Sequence, residues 1–192
     1  YLEAVAEADT IVFDKTGTLT KGEFEVNELL TADGVSEAEL LEAAAYAENF
    51  SDHPIAASIK RAFAKEGNEI AAERISDVKE VAGHGIRILL DGAEVFAGNE
   101  KLLSDNSIAA VPTEKPGTVV YVAKNGSYMG CVIISDTIKP EARQAIKSLK
   151  QAGVKQTVML TGDRKKAGEA VAKELGIDTV YTPVSYTHLR AH

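Results

Sequence analysis

Residues 10–20 read Thr-Ile-Val-Phe-Asp-Lys-Thr-Gly-Thr-Leu-Thr, and this stretch constrains the chain more than any other. Its opening residues are apolar or β-branched, the composition of a buried strand. The run ends on one carboxylate, Asp14, followed by a cation, two small hydroxyl residues and a glycine. A carboxylate where a strand runs out, beside groups able to bind phosphate, suits a nucleophile that accepts a phosphoryl group. An isolated aspartate after a strand is more often a turn residue or a helix cap. The reading therefore depends on what the rest of the chain supplies.

Two kinds of apolar periodicity alternate along the sequence. Residues 21–26 lead away from Asp14 as a strand or extended link. Ser36 and Glu39 stand at capping-box spacing and open a helix to about Glu48. Residues 49–53 interrupt it, and Pro54 suits the first turn of a second helix to about Lys65, with Gly67 just beyond its end. From Ile75 the period becomes two. Strands are predicted at 75–81, 86–90, 94–97, 119–123 and 128–134. Asp91-Gly92 and Asn125-Gly126 mark hairpin turns, and residues 104–117 read as a loop. The block is thus two helices on an antiparallel sheet, an α+β unit. After Asp136 the pattern returns to strand and helix in alternation. One helix starts at Pro140 with Ala142, Ala145, Ile146 and Leu149 on one face. A strand at 156–161 follows, then a helix with Ala167, Ala170, Val171 and Leu175 inward, then a strand at 177–181. This βαβ order implies a parallel sheet, to which the Asp14 strand belongs. The fold class is therefore α/β with an α+β insertion. The expected division is 1–21 and 135–181 for the α/β domain, 22–134 for the insert, and 182–192 for a tail without periodicity.

Composition narrows the function. The net charge of −8 argues against a nucleic-acid partner, which needs clustered Lys and Arg. No apolar run approaches the ~18 residues of a membrane-spanning helix, and the acidic start at residues 1–5 does not read as a signal peptide. Cys131 is the only cysteine, which excludes an internal disulfide, fits a reducing compartment and reads as a buried strand residue.

Asp14-Lys15-Thr16-Gly17-Thr18 resembles the phosphorylation motif of the P-type ATPases, ion pumps phosphorylated on its aspartate, and the match continues to Thr20. Thr161-Gly162-Asp163 resembles the family's Thr-Gly-Asp, placed at a strand end where a hydroxyl and backbone N–H groups can hold phosphate. Ser51-Asp52-His53-Pro54 resembles the Ser-Glu-His-Pro signature of the heavy-metal (P1B) branch, with Asp52 in place of the usual Glu or Asn. In that branch a Glu lies five residues before the His, here Glu48. A Gly-x-Gly follows, here Gly83 and Gly85 before Ile86, and then a Gly-Asn pair, here Gly98-Asn99. Asp136 with Lys139 resembles the hinge segment near ATP.

The resemblance implies a haloacid-dehalogenase-like, Rossmann-type phosphorylation domain, incomplete here, with an inserted nucleotide-binding domain. It implies ATP and Mg²⁺ as cofactors. Asp14, Lys15, Thr16, Thr161, Gly162 and Asp163 are the expected catalytic residues, and Asp14 and the Thr16 carbonyl the Mg²⁺ ligands. Glu48, His53, Gly83, Gly85, Ile86, Gly98, Asn99 and Asp136 are the expected nucleotide residues. The imidazole of His53 would stack on or bond to adenine, Glu48 would accept from its amine, and the glycines would let backbone approach phosphate or ribose. Closure would carry the γ-phosphate to Asp14. Thr16 stands where related phosphatases carry a second Asp, so the aspartyl-phosphate should hydrolyse slowly. The implied partner is a heavy-metal cation of the Zn/Cd/Pb kind, bound by membrane helices that this sequence lacks, in a plasma-membrane protein whose cytoplasmic part this is. The family's later Lys and its Gly-Asp-Gly-x-Asn-Asp are absent, the resemblance ends near Thr182, and residues 184–192 look vector- or adaptor-derived. That suggests a truncated sheet with exposed edges. Two alternatives stand beside the exporter: a fragment that only binds ATP, and a soluble phosphatase of the wider superfamily. Thr16 speaks against the second.

Overall fold

The computed structural model describes residues 9–162 and 165–182. Asp163 and residues 183–192 lie outside them. In chain order the elements are β1 (Thr10–Asp14), β2 (Thr20–Thr31), α1 (Glu37–Ala47), α2 (Pro54–Lys65), β3 (Ile75–Val81), β4 (Gly85–Leu90), β5 (Ala93–Gly98), α3 (Glu100–Asp105), β6 (Thr118–Lys124), β7 (Ser127–Ile138), α4 (Ala142–Gln151), β8 (Gln156–Leu160), α5 (Lys165–Leu175) and β9 (Thr179–Tyr181). They fall into two units, Tyr1–Glu23 with Asp136–His192, and Phe24–Ser135.

The first unit holds a parallel sheet in the order β1-β8-β9. Met159 on β8 packs with Ala142 and Ile146 of α4, Ala172 and Leu175 of α5, and Leu19 and Ile177. Ile146 and Met159 are almost fully buried, each worth about 1.5–3 kcal/mol against exposure. Two expectations fail here. Ala145 and Ala170 are exposed, and Ala172 takes the inward place on α5. The β1 strand is also not buried. It forms an edge of this sheet among the described residues, and Val12 is 54% exposed. Register sets Val12 beside Val158, Asp14 beside Leu160, and Leu160 beside Tyr181. Paired residues share a face, so the exposed Val12, Leu160 and Tyr181 line the same side as the buried Val158.

The second unit is an antiparallel sheet in the order β2-β7-β6-β5-β4-β3. Alternation along its strands feeds two cores. Val95 and Ala97 of β5 pack with Leu40, Ala44 and Ile59 of α1 and α2, while Phe96 packs with Leu102 and Leu103 of α3 on the other side. The predicted caps form. Ser36 and Glu39 bond reciprocally at the start of α1, and Pro54 opens α2. Both hairpin turns take two left-handed residues, Asp91 (φ 50°) with Gly92 (φ 79°) and Asn125 (φ 49°) with Gly126 (φ 75°). Cys131 is buried, and that burial raises its thiol pKa. The α3 helix is not predicted by the sequence. Six residues make under two turns, too few to show a period.

Candidate active site

The β1 strand delivers Asp14 in extended backbone (φ −74°, ψ 142°), and the chain then winds tightly through Lys15–Leu19. The winding is not a regular helix, because Thr16 (ψ 125°) and Gly17 (φ 77°) leave helical dihedrals. Left-handed backbone at position 17 is what a glycine there permits. The Thr20 N–H closes the loop onto the Lys15 carbonyl. The Thr20 hydroxyl, fully buried, donates to Asp136 Oδ2 at 2.5 Å and accepts from the Gly17 N–H at 3.3 Å. Asp136 Oδ1 accepts from the Gly22 N–H at 2.9 Å. Lys139 Nζ donates to the Gly17 carbonyl at 2.9 Å, and its N–H donates to the Leu19 carbonyl at 3.0 Å. The loop is therefore shaped by two side chains that come from beyond the insert.

Within that frame the Asp14 side chain is exposed and makes no hydrogen bond among the described residues. An open carboxylate on a fixed backbone is the geometry a nucleophile needs. Lys15 is buried at 6% exposure, and Thr16 is exposed. The β1–β8 register sets Asp14 against Leu160, so Thr161 and Gly162 leave the sheet at the same end as Asp14. The Thr161 N–H is used by the Tyr181 carbonyl at 3.1 Å and is not a phosphate donor; Gly162 is exposed, and Asp163 lies outside the described residues. The Asp14 carboxylate and the Thr16 carbonyl are hard oxygen donors of the kind Mg²⁺ takes alongside water and phosphate. Among the described residues no group of three or more His, Cys, Asp or Glu could hold a metal by itself.

The second unit contains a pocket of about 680 Å³. Seven of the predicted nucleotide residues line it: Glu48, His53, Gly83, Gly85, Ile86, Gly98 and Asn99. They come from the ends of α1 and β5, the cap of α2 and the β3–β4 turn. Glu48 sits in a short 3-10 turn, Glu48–Phe50, and desolvation there pushes its carboxyl pKa up, partly offset by a bond from Ser51 and the charge of Lys60. His53 caps α2, with Nδ1 accepting from the Ile55 N–H at 3.2 Å. That bond leaves Nε2 as the proton-bearing nitrogen.

Three expected roles change. Both oxygens of Asp136 serve the Asp14 loop. Asn99 lines it, but its amide is used within the protein, Oδ1 capping Leu102 N–H at 3.0 Å and Nδ2 donating to the Gly83 carbonyl at 3.0 Å. Gly85 and Gly98 are paired across β4–β5. A Cβ on Gly85 would sit 2.2 Å from the Ala97 carbonyl oxygen, so these glycines let two strands approach each other. The sequence did not mark Phe50, Asp52, Glu80 and His84 as site residues, yet all line the pocket. Asp52 falls inside the motif that contains His53 and Phe50 directly precedes it, which was the available signal.

The chain thus joins an open strand-end aspartate in a parallel α/β unit to an inserted antiparallel unit with its own pocket. The family model of haloacid dehalogenase-like hydrolases matches residues 8–189, and the chain belongs to that family. It is 51% identical over 181 residues to a cadmium, zinc and cobalt-transporting ATPase of Bacillus subtilis (strain 168), covering 94% of this chain and 25% of that protein. Among solved structures, a zinc-transporting PIB-type ATPase in its E2.Pi state aligns with a TM-score of 0.79 at 31% identity, over 95% of this chain and 30% of that one. The catalytic domain of a CPx-ATPase, studied for conformational change upon nucleotide binding, aligns with a TM-score of 0.71 at 29% identity, over 96% of this chain and 66% of that one. The chain spans about a quarter of the length of the curated relatives it matches.

Proposed function

We propose that this chain is the phosphorylated and ATP-binding part of an ATP-driven exporter of heavy-metal cations. The observation that carries the reading is Asp14, an open carboxylate at the end of β1 on a loop locked by Asp136 and Lys139. An Asp14 oxygen attacks the γ-phosphorus of ATP, the bond to the bridging oxygen breaks, and ADP leaves with that electron pair. Mg²⁺ held by Asp14 and the Thr16 carbonyl would neutralise charge on the transferring group. Thr16 offers no carboxylate to deprotonate water, so the aspartyl-phosphate persists long enough to drive a change of shape elsewhere in the protein. The pocket of Glu48 and His53 is the nucleotide site. Phe50, Ile55, Ile86 and Val119 offer apolar surface for a flat heterocycle, and Glu48 and His53 offer polar groups to its edge. The relatives' names favour Zn²⁺, Cd²⁺ and similar divalent ions as cargo, bound in membrane segments.

The test is phosphorylation of the protein with intact flanking segments by γ-labelled ATP. An acid-stable, hydroxylamine-sensitive label is expected, and Asp14→Asn abolishes it. Undiminished labelling in that variant would overturn the assignment. A second reading, that the chain alone only binds ATP, is favoured by one observation: Asp14 belongs to no group of three or more metal-binding side chains among the described residues. It predicts amide shifts around Glu48, His53 and Gly85 on ATP addition, without any label on Asp14.

A further inference from the structure

The pocket has an unusual charge balance for a site that would take a triphosphate. Its lining includes Glu48, Asp52 and Glu80 but neither Lys nor Arg. A tetra-anionic ligand meets no permanent side-chain cation there. The ammonium of Lys60 is engaged with the carbonyls of Asn49 and Ser51 and is not part of the lining. The two imidazoles are the remaining sources of positive charge, and their hydrogen bonds make them opposites. His53 accepts a backbone N–H at Nδ1, so a second proton could enter only by displacing the α2 cap. His84 has Nδ1 at 2.7 Å from the Ala82 carbonyl, which can only accept. Nδ1 of His84 therefore carries the proton, and Nε2 can take another without breaking any bond the ring makes. Imidazoles change charge between about pH 5 and 8, the range in which a phosphate chain could recruit that proton.

We propose that His84 is the phosphate-facing residue of this pocket and takes up a proton at Nε2 when a nucleoside triphosphate binds. It stands between Gly83 and Gly85 in the turn that the Asn99 amide pins from below. The surrounding ionisable groups are Glu80 on β3 and Glu48, Asp52 and His53 around the start of α2. The three carboxylates would repel the phosphates, and a charged His84 offsets them. The inference rests on reading the pocket as an ATP site. The sign follows from linkage: the bound state holds the extra proton, so affinity is greatest at low pH and falls as pH rises.

The experiment titrates the full chain with ATP and, separately, with adenosine at pH 6 and pH 8, for the native sequence and for His84→Gln. Native ATP affinity is expected to weaken about tenfold across that range, the one-proton linkage partly expressed. His84→Gln should bind ATP weakly at pH 6 and lose the excess pH dependence. Adenosine, without phosphates, should bind both proteins alike at both pH values. An unchanged ATP affinity and pH course in His84→Gln overturns the proposal, as does an equal loss for adenosine. If the native chain binds neither ligand, the ATP-site reading itself falls and this inference with it. Should His84→Gln fail to fold, ring ¹⁵N spectra of the native chain decide the matter. Nε2 protonated with saturating ATP but not with adenosine supports it, and Nε2 bare in the ATP complex refutes it.

Discussion

Asp136 shows how a single carboxylate can be reassigned by its partners. It is 7% exposed, and its two oxygens serve the Thr20 hydroxyl and the Gly22 N–H. Removing it turns the Thr20 hydroxyl onto its other acceptor, the Lys15 carbonyl at 3.0 Å, and leaves the exposed Gly22 N–H to solvent, so the cost is the lost bonds to a charged group, about 1.5–3 kcal/mol. Asp136→Ala should therefore destabilise the first unit and sharply reduce phosphorylation of Asp14, because the loop that fixes Asp14 loses its brace. ATP affinity should stay unchanged, since both Asp136 oxygens are spent on the Asp14 loop. Asp136→Asn keeps one acceptor oxygen and should fall between. Urea unfolding, phosphoenzyme yield and ATP titration together read this out. Reduced ATP affinity at unchanged stability would return Asp136 to the nucleotide site.

At the scale of elements, the glycine pair of β4 and β5 makes a sharper test than the turns do. A Cβ on Gly98 would lie 2.2 Å from the His84 carbonyl oxygen, 2.8 Å from Gly85 Cα and 2.8 Å from Leu102 Cδ2. Two of those atoms are backbone and cannot step aside. Gly98→Ala should destabilise the second unit by about 1–3 kcal/mol or more, and should weaken ATP binding because the β3–β4 turn moves with it. Gly92→Ala is the contrast: nothing lies within 4 Å of its added methyl, and only its φ of 79° opposes the change, at about 1–2 kcal/mol. Equal urea midpoints for the two variants would remove the packing role from Gly98. The pair also marks the limit of sequence reading. Long periodic elements, both hairpin turns and the caps at Ser36 and Pro54 were legible, because propensity and local bonds decide them. Ala145 and Ala170 were misplaced, because alanine carries little burial signal of its own. The seven pocket residues were legible as a set. The duties of Asn99, Gly85 and Gly98 were not, since each depends on a partner made adjacent only by folding.

For the whole molecule, the decisive question is whether the two units are separate folding bodies. The chain enters and leaves the second along β2 and β7, each of which continues past the unit boundary. Both sheet faces of Phe24–Ser135 are nevertheless covered from within, by α1 and α2 on one side and α3 on the other. One face of the parallel sheet in the first unit carries the Met159 core; on the other, Val158 is buried while Val12, Leu160 and Tyr181 stand exposed. A unit with two internal cores should fold alone, and one with a partly exposed apolar face should be the weaker. Phe24–Ser135 produced by itself should melt in one cooperative step, with an unfolding enthalpy of about 60–80 kcal/mol as for domains of its size. It should bind ATP as the full chain does. The full chain should melt in two steps, the upper one coinciding with that of the isolated unit. A single transition in the full chain, together with an isolated unit that lacks near-ultraviolet circular dichroism, would mean that the insert needs its host. The pocket of Glu48, His53 and His84 would then depend on the whole chain for its shape.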